Sequence, residues 1–224
     1  MPLPGNREQT VAKSKWRAFS ALRARWKGCK ALRRWEGQGK PLPPPHIVKQ
    51  LAVMEYAALF GLRVLVETGT YHGEMVEAMR NAFDRLYSIE IDQGFYEEAL
   101  DAFGRFTNIR IIKGDSGEVL PSILPEVKQP CLFWLDGHYS GPETGKGLLD
   151  TPITKELQHI FLHPIREHAI LIDDAREFTG EGDYPSLDRL REFVRNSRPD
   201  WIFEVRDDII RIHPRRPDGG RQIG

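Results

Sequence analysis

Three aspartates stand where an apolar run ends. Asp136 closes Cys131-Leu132-Phe133-Trp134-Leu135, while Asp173 and Asp174 close Ala169-Ile170-Leu171-Ile172. A carboxylate set directly behind a buried strand is costly to desolvate unless it is paired or bound to metal. If the two runs are neighbouring strands, the three carboxylates converge at one edge of a sheet. Together with waters and substrate oxygens they would suit a hard, six-coordinate cation such as Mg²⁺. Such an ion lowers the pKa of a bound hydroxyl and orients its oxygen for attack. Asp136 and His138 are the candidate catalytic bases beside it. The alternative uses are plainer: turn and helix capping for Asp136 and Asp173, and a loop hydrogen bond for His138.

A second group lies earlier in the chain. Val64-Leu65-Val66 runs into Glu67-Thr68-Gly69-Thr70-Tyr71-His72-Gly73. Glycines at 69 and 73 let the backbone turn tightly and approach a ligand closely. The helix that follows would turn its first N–H groups toward an anionic group such as a carboxylate. The dinucleotide fingerprint G-x-G-x-x-G is absent, because Glu67 takes the place of its first glycine and the spacing is longer. Glu90 closes the next apolar run, Leu86-Tyr87-Ser88-Ile89, where a carboxylate can accept hydrogen bonds from both hydroxyls of a ribose. Asp92 reads instead as a helix cap. Gly114-Asp115-Ser116 follows the third run, and capping is the competing use of its two polar side chains.

These residues need strands and helices to hold them. Apolar runs at Arg63–Glu67, Arg85–Ile91, Ile109–Lys113, Cys131–Leu135 and Ala169–Ile172 alternate with helical patterns around Met75–Ala82, Phe95–Phe103, Ser116–Leu124 and Thr154–Leu162. A helix over His46–Phe60 precedes them. Strands alternating with helices imply parallel pairing and right-handed crossovers. A helix near Ser186–Asn196 leads to two last runs, Trp201–Val205 and Ile209–Ile212, separated only by Arg206, Asp207 and Asp208. That spacing predicts an antiparallel hairpin at one edge. The fold class is α/β, a Rossmann-like, seven-stranded, mostly parallel sheet with an antiparallel edge hairpin.

Composition divides the chain in two. The formal net charge is zero, with 32 basic and 32 acidic residues among 224. Residues 1–50 carry 12 Lys and Arg against Glu8 and Glu36, which leaves 20 basic and 30 acidic residues for 51–224. From Lys13 to Trp35 the residues Trp16, Phe19, Leu22, Trp26, Cys29, Leu32 and Trp35 share one helical stripe amid Lys and Arg. Pro41-Leu42-Pro43-Pro44-Pro45 ends this segment in an extended connection. The expected domains are thus a basic amphipathic arm with its Pro-rich linker, 1–45, and a body, 46–224. The arm suits a partner subunit, a homo-oligomer contact or a patch of the body; it equally suits an anionic membrane surface. Nucleic acid is the least favoured partner.

Cys29 and Cys131 are far apart and show no metal or disulfide spacing, which favours a reducing compartment. No apolar run approaches a bilayer span or a signal peptide. A cytoplasmic protein is expected, with attachment to a membrane surface through the arm as the variant.

The ordered landmarks carry a family resemblance. The pattern E-x-G-x-x-x-G over Glu67–Gly73 resembles motif I of class I S-adenosylmethionine-dependent methyltransferases, and the seven strands look like their sheet. The resemblance implies S-adenosylmethionine as cofactor, with Glu67, Gly69, Gly73, Glu90, Asp115 and Ser116 as binding residues and the last two at the adenine. Over roughly residues 60–175 the aspartates are similar to those of metal-dependent O-methyltransferases, both catechol-type and macrocin-type sugar enzymes. Those enzymes hold their metal by an acid after strand four and an acidic pair, or Asp-Asn, after strand five. By position the ligands implied here are Asp136, Asp173 and Asp174, for Mg²⁺ or another divalent cation. The catechol type carries a lysine three residues after its first metal aspartate, where this chain has Tyr139. A sugar or other small-molecule hydroxyl is therefore the expected acceptor. Gly137–Gly147, with four glycines, reads as a mobile acceptor loop and lacks the Gly-x-x-x-x-Gly-Lys-Ser/Thr pattern of a phosphate loop. Asp150-Thr151-Pro152 reads as the next helix start. The Asn/Asp-Pro-Pro-Tyr signature of amino-directed nucleic-acid methyltransferases is missing. Two alternatives stand beside this reading: a metal-independent methyltransferase, and a non-catalytic protein of the cofactor-binding fold recruited by its arm.

Overall fold

Strands β1 (Val64–Thr68), β4 (Leu132–Leu135) and β5 (Ala169–Ile172) are buried at every residue. Strands covered by helices on both faces read in this way. The computed structural model describes residues 28–137 and 151–215. With β2 (Arg85–Glu90), β3 (Ile109–Lys113), β6 (Trp201–Arg206) and β7 (Ile209–Pro214) they form one seven-stranded sheet. Its order is β3-β2-β1-β4-β5-β7-β6. The first five strands pair in parallel, whereas β7 runs antiparallel to β5 and to β6.

Alternation along each strand divides the core between the two faces of the sheet. Val64, Val66, Phe133, Leu135, Ile170 and Ile172 pack with α5 (Ser116–Ile123), α6 (Ile153–Leu162) and α7 (Leu187–Ser197). Leu65, Leu132, Trp134 and Leu171 pack on the opposite face with α2 (His46–Phe60), α3 (Glu74–Met79) and α4 (Gln93–Phe103). Two buried histidines inside this core are paired. The Cys131 backbone N–H donates to His168 Nδ1 (3.1 Å), so the ring proton of His168 sits on Nε2. That proton faces Nδ1 of His163 at 3.0 Å, and His163 Nε2 in turn faces the Leu124 carbonyl at 3.0 Å. Burial pushes His168 down to about 4, which keeps its imidazole neutral.

The chain divides into two compact units, Met1–Lys49 and Gln50–Gly224, and the division falls within α2. In the first unit a helix, α1, covers residues 28–37. Trp35 is buried there, its indole Nε1 donates to the Pro41 carbonyl (2.8 Å), and Lys40 lies over its ring. Residues 13–27 of the amphipathic stripe lie outside the described residues. In the second unit Tyr56 of α2 donates to Glu204 of β6 (2.7 Å), and Glu55 accepts from Arg206 (2.8 Å). Among the described residues no helix is long and apolar enough to cross a membrane.

The elements fall close to where the sequence puts them, with two instructive differences. α3 stops at Met79, well short of the expected Ala82. The hairpin turn is two residues rather than three, since β6 continues through Arg206. Asp207 and Asp208 both adopt positive φ (54° and 64°), the conformation that two-residue hairpins demand.

Candidate functional site

The direction of chain travel across the sheet reverses at β1, whose neighbours are β2 on one side and β4 on the other. A crevice at the carboxyl ends of the strands is expected at such a point. Glu67–Gly73 leaves β1 there. Gly69 has φ +81°, and a Cβ on it would overlap the carbonyl oxygen of Asp136 and lie 2.8 Å from the carbonyl carbon. Only glycine satisfies both demands. The turn is tied down by Gly69 and Thr70 N–H groups donating to the Ile89 carbonyl (2.9 and 3.3 Å) and by Gly73 N–H donating to Thr70 (2.8 Å). The helix beyond it is short, with Glu74 and Glu77 in its first turn.

Glu67 is wholly buried against its register partner on β2, Ser88, whose hydroxyl donates to Glu67 Oε2 at 2.5 Å. That hydroxyl has no second proton, so Thr70 Oγ1, 2.6 Å away, is the donor to Ser88. Burial pushes the Glu67 carboxyl up to about 8; the Ser88 bond opposes this, and the neighbouring Glu90 charge adds to it. Glu90 is also buried, but each of its oxygens accepts one backbone N–H: Tyr71 on Oε2 (2.8 Å) and Asp92 on Oε1 (2.7 Å). A carboxylate has room for further donors beyond these two. Tyr71 pays for its bond with a left-handed backbone, φ 48°, and its ring packs at a tilt against His72 and edge-on to Phe95, at separations of 4.0 and 4.7 Å.

The remaining sequence candidates divide. Asp92 caps α4, as expected, accepting from Gly94 and Phe95. Asp115 caps α5 by accepting from Gly117 (2.9 Å). Ser116 donates to buried Glu156 of α6 at 2.6 Å, and its oxygen lies near Gly137, where an added Cβ would come within 3.3 Å. Both therefore stand at the same end of the sheet with structural partners already in place.

The three aspartates meet. One carboxylate oxygen from each of Asp136, Asp173 and Asp174 lies within 4.8 Å of the others. β4 and β5 pair in register from Leu132↔Ala169 to Leu135↔Ile172, which brings Asp136 and Asp173 out side by side. Asp136 N–H donates to the Thr68 carbonyl (3.1 Å) and Asp173 N–H to that of Leu135 (3.0 Å). Asp173 is 1% exposed. Asp174 takes φ 53° and pairs with Arg176 at 2.8 Å. Arg176 also holds Asp208 of the β6–β7 turn, which is buried. The donor set is hard and anionic, and a cation of the chain's own already stands against it; both fit a divalent ion. His138, Tyr139 and the rest of 138–150 lie outside the described residues.

Sequence reasoning missed Thr70, Ser88, Glu156, Arg176 and Asp208. Ser88 was visible as a polar break in an apolar strand. Asp208 read only as a hairpin spacer, and nothing in the spacing marked Arg176.

No protein-family model and no curated protein matches the chain. Solved structures do. The O-methyltransferase TomG of Streptomyces achromogenes, in complex with S-adenosylmethionine, is 18% identical over 83% of this chain and 87% of its own, with a TM-score of 0.54. The S-adenosylhomocysteine-bound Podospora anserina methyltransferase PaMTH1 is 16% identical over 96% and 99%, with a TM-score of 0.52. A Bacillus cereus O-methyltransferase in complex with S-adenosylhomocysteine is 13% identical over 83% and 90%, with a TM-score of 0.52. The chain has the Rossmann-like fold of S-adenosylmethionine-dependent methyltransferases.

The Gly69 geometry is open to test. Gly61 also has positive φ (64°) but open space around its Cβ, so Gly61→Ala reports backbone strain alone. Urea denaturation should show Gly69→Ala to be more destabilising than Gly61→Ala by at least about 1–3 kcal/mol, the range for overpacking a tight contact. Equal losses would show that the approach of residue 69 to Asp136 is not tight.

Proposed function

We propose that this chain is an S-adenosylmethionine-dependent O-methyltransferase that uses a divalent cation and methylates a hydroxyl of a small molecule or sugar. One observation carries the reading: the Gly69 turn and the aspartate cluster share a single contact, residue 69 against the main chain of residue 136. A cofactor seated on the turn thereby has its reacting end beside the carboxylates. The O-methyltransferase likeness of TomG and the Bacillus cereus enzyme supports the same class.

The residues divide the labour by their environments. Glu90 offers its remaining lone pairs to the ribose hydroxyls, and Asp115 and Ser116 line the adenine end. Glu67, protonated at neutral pH by its burial, ionises when an ammonium group of the cofactor's methionine end lies near. Asp136, Asp173 and Asp174 would hold the cation, which supplies Lewis acidity that acidifies the acceptor hydroxyl. Asp136 is only partly buried and takes the hydroxyl proton at its carboxylate, with His138 as the other candidate base. The acceptor oxygen then bonds the methyl carbon as the carbon–sulfur bond breaks, and its electron pair stays on sulfur. The basic arm at residues 1–45 would act as a separate domain that brings the body to a partner subunit or an anionic membrane surface.

Calorimetry with S-adenosylhomocysteine tests the cofactor half. Binding at pH 7 should release a proton, seen as heats that vary with the buffer's ionisation enthalpy, and Glu67→Gln should bind without that release. Absence of binding would remove the methyltransferase reading. Radiolabelled methyl transfer to a panel of sugars, nucleotide-sugars and other hydroxylated metabolites tests the rest. EDTA, or Asp173→Ala, should reduce transfer at least about a hundredfold. Transfer that survives both would establish a metal-independent enzyme on the same fold.

A further inference from the structure

Arg176 reaches the aspartate cluster from within the loop that carries two of its members. Its Nη1 donates to Asp174 Oδ1 at 2.8 Å and also to Asp208 Oδ2. Its backbone N–H donates to Asp208 Oδ1 at 2.9 Å, and Nε faces Glu177 at 3.3 Å. The two carboxylates it bridges are not equivalent. The Asp208 side chain is 1% exposed, and its residue is locked to the loop by a further bond from Ala175 N–H to the Asp208 carbonyl (2.8 Å). Asp174 is 13% exposed and meets Arg176 through one N–H. Releasing Asp208 would strand a fully buried charge, whereas Asp174 keeps part of its carboxylate open to solvent. A guanidinium is always protonated, so this arginine is a permanent positive charge at the rim of the cluster.

We propose that Arg176 is the cluster's built-in counter-ion: a divalent cation must take Asp174 from it, so Arg176, held on Asp208, sets how tightly the cluster binds its cation. This rests on the metal reading above. The physical reason is charge competition. A guanidinium and a dication cannot both lie at close range to one carboxylate without repelling each other, and the low-dielectric setting strengthens that repulsion. The β6–β7 turn thus belongs to the site, because Asp208 fixes where the competing charge stands.

Mn²⁺ binding to the full chain, followed by the electron paramagnetic resonance of free Mn²⁺ without any cofactor or acceptor, reads the competition directly. Arg176→Gln should tighten Mn²⁺ about tenfold or more, given the size of a unit-charge effect at this range. Arg176→Lys keeps the charge and should stay near the unmodified protein. If Arg176 only shapes the loop, Arg176→Gln weakens Mn²⁺ or leaves it unchanged, and the inference is overturned while the metal reading stands. No Mn²⁺ binding by the unmodified protein or by Arg176→Gln overturns the metal reading itself, with Asp173→Ala as the blank. Should Arg176→Gln fail to fold, the Nε–H resonance of Arg176 in the unmodified protein decides. It should shift with Mg²⁺ and saturate with binding; a resonance that stays fixed at saturation overturns the inference.

Discussion

The close approach of Gly69 to the main chain of Asp136 is the constraint on which the rest of the site depends. β1 and β4 are register partners up to Thr68↔Leu135, and one residue later their chains separate into different loops. Because residue 69 has no side chain, the first loop turns at once across the end of β4. The same step places the main chain of Asp136 against the β1 turn, where the proposed cofactor would sit. Any larger residue would push the two loops apart, and with them the two halves of the proposed site.

Around that contact the protein buries acids in three different ways. Glu67 is stabilised as the neutral acid by lack of water, with the Thr70–Ser88 hydroxyl pair feeding it a hydrogen bond. Glu90 takes one backbone N–H group on each oxygen. Asp174 and Asp208 share a guanidinium. In the proposed function each device suits a different demand: an acid that can change protonation, one that stays a fixed acceptor, and one whose charge is available for exchange. Desolvation, amide dipoles and a shared counter-charge are the corresponding physical terms. The antiparallel hairpin contributes to the last of these through a turn residue, Asp208, which ties that edge of the sheet to the aspartate cluster through Arg176.

Much of the architecture was legible because strand burial is written in composition. Runs such as Leu132–Leu135 and Ala169–Ile172 have no polar residue to confuse their ends, and the acids that follow mark where each strand leaves the core. Helix ends were less legible. α3 ends early although its apolar pattern continues to Ala82, since tertiary packing rather than periodicity decides where a short helix stops. Within the site, residues tied to a motif could be found one by one, whereas those defined by a partner distant in sequence could not. Arg176 and Asp208 are 32 positions apart, and Ser116 and Glu156 are 40 apart. No local pattern encodes such pairs. His163 and His168 are close in sequence, yet only the fold shows that they form a hydrogen-bonded relay ending on Leu124.

The union of cofactor turn and acid cluster in a single site can be read from one spectrum. Full-length protein is loaded with S-adenosylmethionine carrying a ¹³C-labelled transferable methyl group, and Mn²⁺ is added with Mg²⁺ as the diamagnetic control. A shared site requires the bound methyl resonance to broaden beyond detection with Mn²⁺ and to recover in Asp173→Ala. A resonance that keeps its width at saturating Mn²⁺ would contradict it, placing the metal and the methyl group in separate parts of the molecule.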